Sequence, residues 1–204
     1  MLSIDPALVI LGLEEAISLD LPQEEFAYAG QYRMQRYGKA ILTRRPERPT
    51  AAAAIIAALT TDRHRIHHDR MVVRTIDVRR AERGNGWGPL LLRSVAHAYS
   101  TAGFDTVQIN TNNPFAYIAA CKAGFGWTGR TTGLAELIMT RPTDRPTRWS
   151  RGRFIAGLSL YRHPRLDAAG RRLIARYRGD VTAIEHVRAV DDVIPVHHAG
   201  GNHG

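Results

Sequence analysis

Residues 83–88 read Arg83-Gly84-Asn85-Gly86-Trp87-Gly88, a glycine-rich stretch between two segments of opposite character. Before it, residues 71–78 are apolar and rich in β-branched side chains, which indicates a strand. After it, residues 89–99 are rich in Leu and Ala and start with Pro89, which indicates a helix with a proline in its first turn. The stretch therefore predicts a turn that joins a strand to the N-terminus of a helix.

Such a turn has the properties of an anion site. Its three alternating glycines permit backbone angles that other residues avoid, and they let a ligand approach the main chain. The free N–H groups of the first helical turn and the helix dipole both favour negative charge. Arg83 adds a positive charge at the entrance. We expect a phosphate or pyrophosphate ligand, although the six residues alone also fit a glycine-rich turn that binds nothing.

The spacing of the glycines distinguishes between phosphate-binding loops. No Gly-Lys-Ser/Thr closes the turn, so it is not a P-loop, and Gly84, Gly86 and Gly88 do not match the dinucleotide fingerprint. The pattern Arg-x-x-Gly-x-Gly resembles the pyrophosphate loop of the GNAT N-acetyltransferase superfamily. The preceding strand and following helix resemble the central strand and helix of that family.

A second segment strengthens the resemblance. Residues 106–111 are predicted as the next strand, followed by a helix that Asn113 caps, Pro114 begins and Gly124 ends. Asn-x-x-Ala from Asn113, followed by Lys-x-Gly-Phe ending at Phe125, resembles the second motif of the family. The resemblance covers residues 70–140 well, the first 70 residues loosely and the last 60 not at all.

The resemblance implies an α/β (α+β) GNAT fold with a central, mixed, mostly antiparallel twisted sheet flanked by helices. We expect an acetyltransferase domain at 1–141, an arginine-rich helical extension at 142–190 and a flexible tail at 191–204. Outside the two motifs, strands are predicted at 7–13, 38–43 and 134–140, a helix start at 21–25, and helices at 151–161 and 166–178. Residues 50–60 have the alanine content of a helix but the position of a strand, and we assign a strand. Residues 126–133 are predicted as a turn-rich link.

The implied activity is transfer of an acetyl group from acetyl-CoA to an amine on a small molecule, peptide or protein, by direct attack on the thioester. The resemblance places the cofactor's pyrophosphate on the loop and its pantetheine arm along the strand that ends at Val78, where two central strands part after a bulge. An amide near Val78 would stabilise the oxyanion. The implied cofactor-binding residues are Val78, Arg83, Gly84, Asn85, Gly86, Trp87, Gly88 and Asn113.

The catalytic residues follow the family pattern less well. Many members have a tyrosine four residues after the motif alanine to protonate the leaving thiolate, and here that position is Ala120. Tyr117 lies one helical turn earlier on nearly the same face and is the candidate substitute. Asp77 and Glu82 are candidates for the base that deprotonates the amine, with water as the alternative. Cys121 is expected to be buried packing.

Composition separates the extension from the rest of the chain. The net charge is +9, and residues 141–178 hold eleven arginines against two aspartates, while the remaining 17 basic residues balance 17 acidic ones. A solvated face explains this charge, and the alternative is an acidic or nucleic-acid partner, since guanidinium groups pair well with phosphates. A non-catalytic module that binds CoA or nucleic acid is therefore the second functional hypothesis, and a homodimer contact is a third role for the extension.

Other features exclude classes of protein. A single cysteine is incompatible with a disulfide framework and fits a cytoplasmic location. No apolar run approaches the roughly 20 residues of a membrane span, and the acidic start is unlike a signal peptide. His64, His67 and His68 lie among arginines that would repel a cation, so we expect a solvated hairpin loop and no metal.

Overall fold

In a computed structural model, which describes residues 5–133, 136–161, 166–189, 194 and 196–198, the core is one mixed sheet. Its strands are β1 Ala7–Gly12, β2 Gly38–Thr43, β3 Ile55–Arg63, β4 Arg70–Val78, β5 Thr106–Thr111, β6 Gly126–Thr132, β7 Glu136–Pro142 and β8 Val196–His198. They lie in the order β6-β7-β5-β4-β3-β2-β1-β8, and five of the seven pairings are antiparallel, while β1–β8 and β4–β5 are parallel. The predicted mixed, mostly antiparallel sheet is confirmed.

Two helices follow the central strands as the motifs predict. Helix α1 spans Trp87–Thr101 and follows the glycine-rich turn after β4. Helix α2 spans Pro114–Lys122, and Oδ1 of its N-cap, Asn113, accepts a hydrogen bond from the Ala116 amide at 2.9 Å. The α2 helix stops before Gly124, whose φ of 91° is left-handed, a conformation that glycine adopts without a Cβ penalty. The caps read from the sequence are confirmed.

The two faces of the sheet are covered by different parts of the chain. Helices α1 and α2 pack on one face, where Met71 and Val73 of β4 belong to the main hydrophobic core. The irregular segment 13–37 covers part of the other face, and Tyr32 in it donates a hydrogen bond to the Ala58 oxygen at 2.9 Å. We call these the helix face and the segment face. Strands β2 and β3 have apolar side chains in both directions, because Ala40 and Leu59 belong to the core on the helix face and Ile41 and Ala58 to the core on the segment face.

The sheet is split at its centre. Strands β4 and β5 pair in parallel from Arg70–Thr106 to Val73–Ile109, and β4 then continues to Val78 beside β3 alone. Opposite the step from Thr60 to Thr61, the β3–β4 register shifts and leaves Arg74 without a partner, which is a β-bulge. The bulge therefore coincides with the point where β4 and β5 part, and it opens a slot between them.

Several expectations need correction. Residues 21–25 do not start a helix: they form a turn, followed by a short 3-10 helix at Ala29–Arg33. The strand predicted at 50–60 begins only at Ile55, after a 3-10 turn at Ala52–Ala54. Residues 126–133 are not a link, because most of them form β6, which pairs with β7.

The arginine-rich region folds against α2. Helices α3 Arg151–Leu158, α4 Ala168–Gly179 and α5 Thr182–Ala189 all contact α2. Their side chains Phe154, Tyr177 and Ile184 belong to the same hydrophobic core as α1 and the sheet. Val196–His198 pair with β1, so these three residues of the predicted tail are part of the sheet. The rest of that tail, apart from Ile194, lies outside the described residues.

Candidate active site

The glycine-rich loop presents unpaired amides at the start of α1. Gly84 and Gly86 have φ angles of 89° and 84°, so both are left-handed, and Gly86 is the N-cap of the helix. Within the part of the chain that the structure describes, the amides of residues 84–88 have no hydrogen-bond acceptor. Left-handed glycines next to a helix N-terminus form a concave group of donors that suits an oxyanion.

Glu82 fixes the position of this loop. One carboxylate oxygen accepts a hydrogen bond from Trp87 Nε1 at 3.2 Å, and the other pairs with Arg44 at 2.9 Å. Both oxygens are therefore occupied by donors that join the loop to the turn after β2. This arrangement favours a structural role for Glu82 over the base predicted as one alternative.

Asp77 and Arg83 tie the loop to β4 and to the segment face. The Arg83 guanidinium pairs with Asp77 Oδ1 at 3.1 Å, and its Nε donates to the Val78 oxygen at 3.0 Å. The other Asp77 oxygen accepts from the Tyr28 amide at 3.0 Å, and the Asp77 side chain is only 5% exposed. Asp77 lies on the opposite side of the sheet from Ile76 and Val78, as the alternation along the strand predicts. The Asp77 carboxylate is therefore buried and bound by two donors, which favours a structural role.

The free edge of β4 exposes main-chain groups to the slot. The Arg79 amide donates to the Ile56 oxygen at 2.8 Å, so Arg79 faces β3. The N–H and C=O groups of successive residues in a strand point to opposite edges. The main-chain groups of Asp77 therefore also point towards β3, and those of Ile76 and Val78 point into the slot. The bond from Arg83 Nε to the Val78 oxygen agrees with this orientation. The slot thus offers the edge of a strand to an extended ligand.

Asn113 lies on the β5 side of the slot, two residues after the end of β5 and, since β4 and β5 are parallel, at the same end of the slot as the glycine-rich loop. Its Oδ1 caps α2, and its Nδ2 donates to Asn112 Oδ1 at 3.0 Å. Both groups of the side chain are therefore used within the protein. The residue holds the N-terminus of α2 beside the edge of β5.

Tyr117 is enclosed by the extension. It has no exposed surface, and its hydroxyl donates to the Phe154 oxygen of α3 at 3.0 Å. Its ring stacks on Phe154 with centroids 5.7 Å apart and contacts Tyr161 at 5.6 Å. Burial, with smaller contributions from Cys121 and Tyr161, raises the pKa of Tyr117 far above its usual value. This geometry favours a packing role over that of the predicted proton donor. Cys121 is buried, as expected.

The histidine-rich hairpin is exposed. Residues 65–69 lie on the surface between β3 and β4. In the described residues, no group of three His, Cys, Asp or Glu side chains is arranged to hold a metal ion. None of the described helices combines the length and apolar character needed to cross a membrane.

The architecture matches solved acetyltransferases. An IAA acetyltransferase from Bacillus cereus is 16% identical, with a TM-score of 0.50 over 68% of this chain and 99% of its own. The fold is that of the GNAT acetyltransferases. A Bacillus subtilis acetyltransferase in complex with CoA is 14% identical, with a TM-score of 0.47 over 67% and 97%. The ribosomal-protein-S18-alanine N-acetyltransferase from Escherichia coli is 19% identical, with a TM-score of 0.41 over 59% and 77%. No protein-family model and no curated protein matches the sequence.

Two features of this GNAT fold were not foreseen at the level of residues. The bulge falls on Arg74, whose position depends on the β3–β4 register and has no local sequence signal. Tyr161 inserts between the C-terminal end of β5 and α2, where its hydroxyl is 2.8 Å from Thr111 Oγ1 and bonds the Thr111 oxygen at 3.0 Å. Tyr161 follows the apolar side chains of Phe154, Ile155 and Leu158, which indicates packing, but its partner Thr111 lies 50 residues away.

Proposed function

We propose that this protein is an acetyl-CoA-dependent N-acetyltransferase. The observation that carries the proposal is the adjacency of two open donor surfaces: the unpaired amides of residues 84–88 and the free β4 edge at Ile76 and Val78. A pyrophosphate followed by an extended amide-containing arm matches these two surfaces in order. Acetyl-CoA has both parts, and the GNAT fold supports it as the ligand.

The donor would be held by main-chain groups. Its pyrophosphate would accept hydrogen bonds from Gly84, Asn85, Gly86, Trp87 and Gly88, with Arg83 beside them. A Cβ at Gly88 would lie 3.6 Å from Val78 Cγ2, an ordinary van der Waals contact, so Gly88 would serve the site through its amide. The pantetheine arm would add to β4 at Val78 as a further strand does. Asn113 borders the slot by holding α2 in place.

Transfer would proceed by direct attack. The neutral amine nitrogen forms a bond to the thioester carbonyl carbon, the carbon–sulfur bond breaks, and the amine proton passes to water. A slot-facing amide of Ile76 or Val78 would stabilise the oxyanion, an effect that is typically worth about 10²-fold or more. The leaving group is an alkyl thiolate, and thiols are much stronger acids than alcohols (a cysteine thiol has a pKa of about 8.5), so the thiolate can depart without an obligatory acid. Ala120 and the enclosed Tyr117 are compatible with this route, and Asp77 acts by positioning Arg83 and Tyr28.

Calorimetric titration with acetyl-CoA tests the proposal. Gly86→Glu places a carboxylate in the anion site and is expected to abolish binding. Gly103→Glu is the matched control, because Gly103 is also left-handed, with φ 82° and open space around its Cα, and follows the other end of α1. The two positions are separated by the whole helix, about 22 Å for 15 residues. Absence of binding by the unmodified protein, or equal loss in both variants, would contradict the proposal.

A second function for residues 141–178 rests on their exposed charge. Arg148, Arg151 and Arg153 are exposed on or before α3, and Arg171, Arg172 and Arg176 are exposed on α4. Such a surface favours an acidic partner or nucleic acid. Binding of a DNA duplex that weakens steeply with salt, and is lost in Arg171→Ser/Arg172→Ser, would support it. Sizing of the intact protein tests the homodimer contact predicted for the same region.

A further inference from the structure

A pocket of about 620 Å³ opens on the segment face, opposite α1 and α2. Its walls come from the end of the segment before β2, the β3–β4 hairpin and the two central strands. The side chains used below are Arg36, Tyr37, His64, Arg65, Arg74 and Gln108. This volume lies within the range of about 300–1,000 Å³ that is typical of small-molecule sites.

The floor of the pocket lies where the slot begins. Val72 and Gln108 are partners in the last part of the β4–β5 ladder, and both line the pocket. Their neighbours in β4, Met71 and Val73, point into the core on the helix face, so Val72 points to the segment face. Arg74, the bulge residue, follows the last paired residue and also lines the pocket. An amine bound here would therefore approach the slot from the side opposite α1.

The pocket carries an excess of positive charge. Its only carboxylate among the lining residues is Asp62, which pairs with Arg74 at 3.1 Å. Arg36 instead donates to the Tyr37 hydroxyl at 2.8 Å and lies over that ring at 4.7 Å from the centroid. Arg65 has no ion pair among the described residues. Within the part of the chain that the structure describes, the guanidinium groups of Arg36 and Arg65 are thus left without an anion.

His64 adds a neutral donor. Its Nδ1 accepts hydrogen bonds from the amides of Ile66 at 3.2 Å and His67 at 3.1 Å. Burial and then the nearby charges of Arg70, His67 and Arg74 lower the pKa of His64, and Asp69 opposes them. The neutral ring therefore has its proton on Nε2, which is left to donate to a ligand.

We propose that this pocket binds acceptor amines that carry a carboxylate or a phosphate group. Arg36, Arg65 and the Nε2 donor of His64 hold the anion, and the amine reaches the slot past Arg74 and Gln108. The inference rests on the proposed acetyltransferase function and names the class of its acceptor. The shared chemistry is a small molecule with an amine at one end and an oxyanion at the other.

The substrate test uses matched pairs. L-Phenylalanine is compared with its primary amide, and phosphoethanolamine with ethanolamine, by release of CoA thiol and mass spectrometry of the product. We expect kcat/KM to be at least tenfold higher for the anionic member of one pair than for its neutral member. The pair that shows this difference tells whether the acceptor's anionic group is a carboxylate or a phosphate. If no compound is acetylated, calorimetry in the presence of CoA compares binding of the same pairs. Equal or better results with the neutral members in both pairs overturn the inference.

Variants assign the effect to the pocket. Arg65→Ala and Arg36→Ala are expected to raise the KM, or the Kd, of the preferred anionic compound about tenfold and to leave its neutral partner unchanged. Arg33→Ala is the control, since Arg33 is an exposed arginine of the same segment that pairs with Asp20. Unchanged values in both pocket variants overturn the inference. Acetyl-CoA binding by the unmodified protein is measured in parallel. If the protein binds acetyl-CoA and the pocket variants are unchanged, only the pocket inference fails; if it does not bind acetyl-CoA, the transferase proposal itself fails.

Discussion

Arg83 Nε donates a hydrogen bond to the main-chain oxygen of Val78 at 3.0 Å, so the first residue of the glycine-rich loop is bound to the last residue of β4. The same guanidinium pairs with Asp77, which in turn accepts from the Tyr28 amide. One side chain thereby joins the candidate phosphate site, the free strand edge and the segment face. A phosphate at the loop would compete with Val78 and Asp77 for this arginine.

Arg83→Ala is expected to weaken acetyl-CoA binding about tenfold, because a charge-assisted hydrogen bond is worth about 1.5 kcal/mol. It should also lower the free energy of unfolding by about 1 kcal/mol, since the buried Asp77 carboxylate keeps only one donor and the lost pair is half exposed. Titration calorimetry and urea denaturation measure the two effects. Arg80→Ala removes an exposed charge near the loop and is the control, and equal losses in both variants would refute a specific role for Arg83.

The free edge of β4 should be visible in amide hydrogen exchange. The amides of Ile76 and Val78 face the slot and are expected to exchange faster than the Asp77 amide between them, which faces β3. Saturating acetyl-CoA should slow Ile76 and Val78 and leave Asp77 unchanged. Two-dimensional NMR with and without the cofactor resolves the three amides, and protection confined to other strands would be incompatible with the proposed pantetheine position.

Tyr117→Phe distinguishes packing from proton donation. We expect kcat to stay within about threefold of the unmodified enzyme, below the roughly 10² of general acid catalysis. The free energy of unfolding should fall by about 1 kcal/mol, because the hydroxyl loses its bond to the Phe154 oxygen. Steady-state kinetics and chemical denaturation give both values. A hundredfold loss of kcat at unchanged stability would instead assign Tyr117 the role of acid.

Gly157 in α3 should not tolerate a side chain. A Cβ at this position would lie 2.3 Å from the Tyr117 hydroxyl oxygen and 2.9 Å from its Cζ, so Gly157→Ala is expected to cost about 1–3 kcal/mol. Gly152→Ala is the control in the same helix, where nothing lies within 4 Å, and should stabilise by about 0.5 kcal/mol. Thermal denaturation ranks the variants. The double variant Gly157→Ala/Tyr117→Phe should lose less than the sum of its single changes, and strict additivity would contradict the contact.

The central part of the fold was predictable because its signals are local. The glycines of the loop, the Asn113 cap and the glycine after α2 each determine backbone conformation within a few residues. Residues 126–133 misled the prediction, since their glycines suggest turns. Gly129 instead has φ 88° where the β6–β7 register shifts, so it serves an irregular strand.

Long-range contacts explain the other differences. The acidic residues at 21–25 resemble a helix start. The Glu25 carboxylate, however, pairs with Arg79, and the Glu25 main-chain oxygen accepts a hydrogen bond from the Arg80 amide at 2.9 Å. Leu21 and Phe26 are anchored in the core of the segment face, which fixes an irregular backbone. The surroundings of Tyr117 depend on α3, whose sequence gives no sign of its partner. The helical periodicity of α2 predicted the face on which Tyr117 lies, but it could not predict that the Tyr117 hydroxyl bonds to the Phe154 oxygen of α3.

The pairing of β1 with β8 has a consequence for how the chain is made. Residues 13–195 separate β1 from β8, so the outer edge of β1 has no β8 partner until they have been synthesised. An unpaired strand edge is a template for pairing with another chain. A nascent chain interrupted before β8 would therefore be prone to associate with its neighbours on the same messenger, and pairing of β8 with β1 removes that hazard.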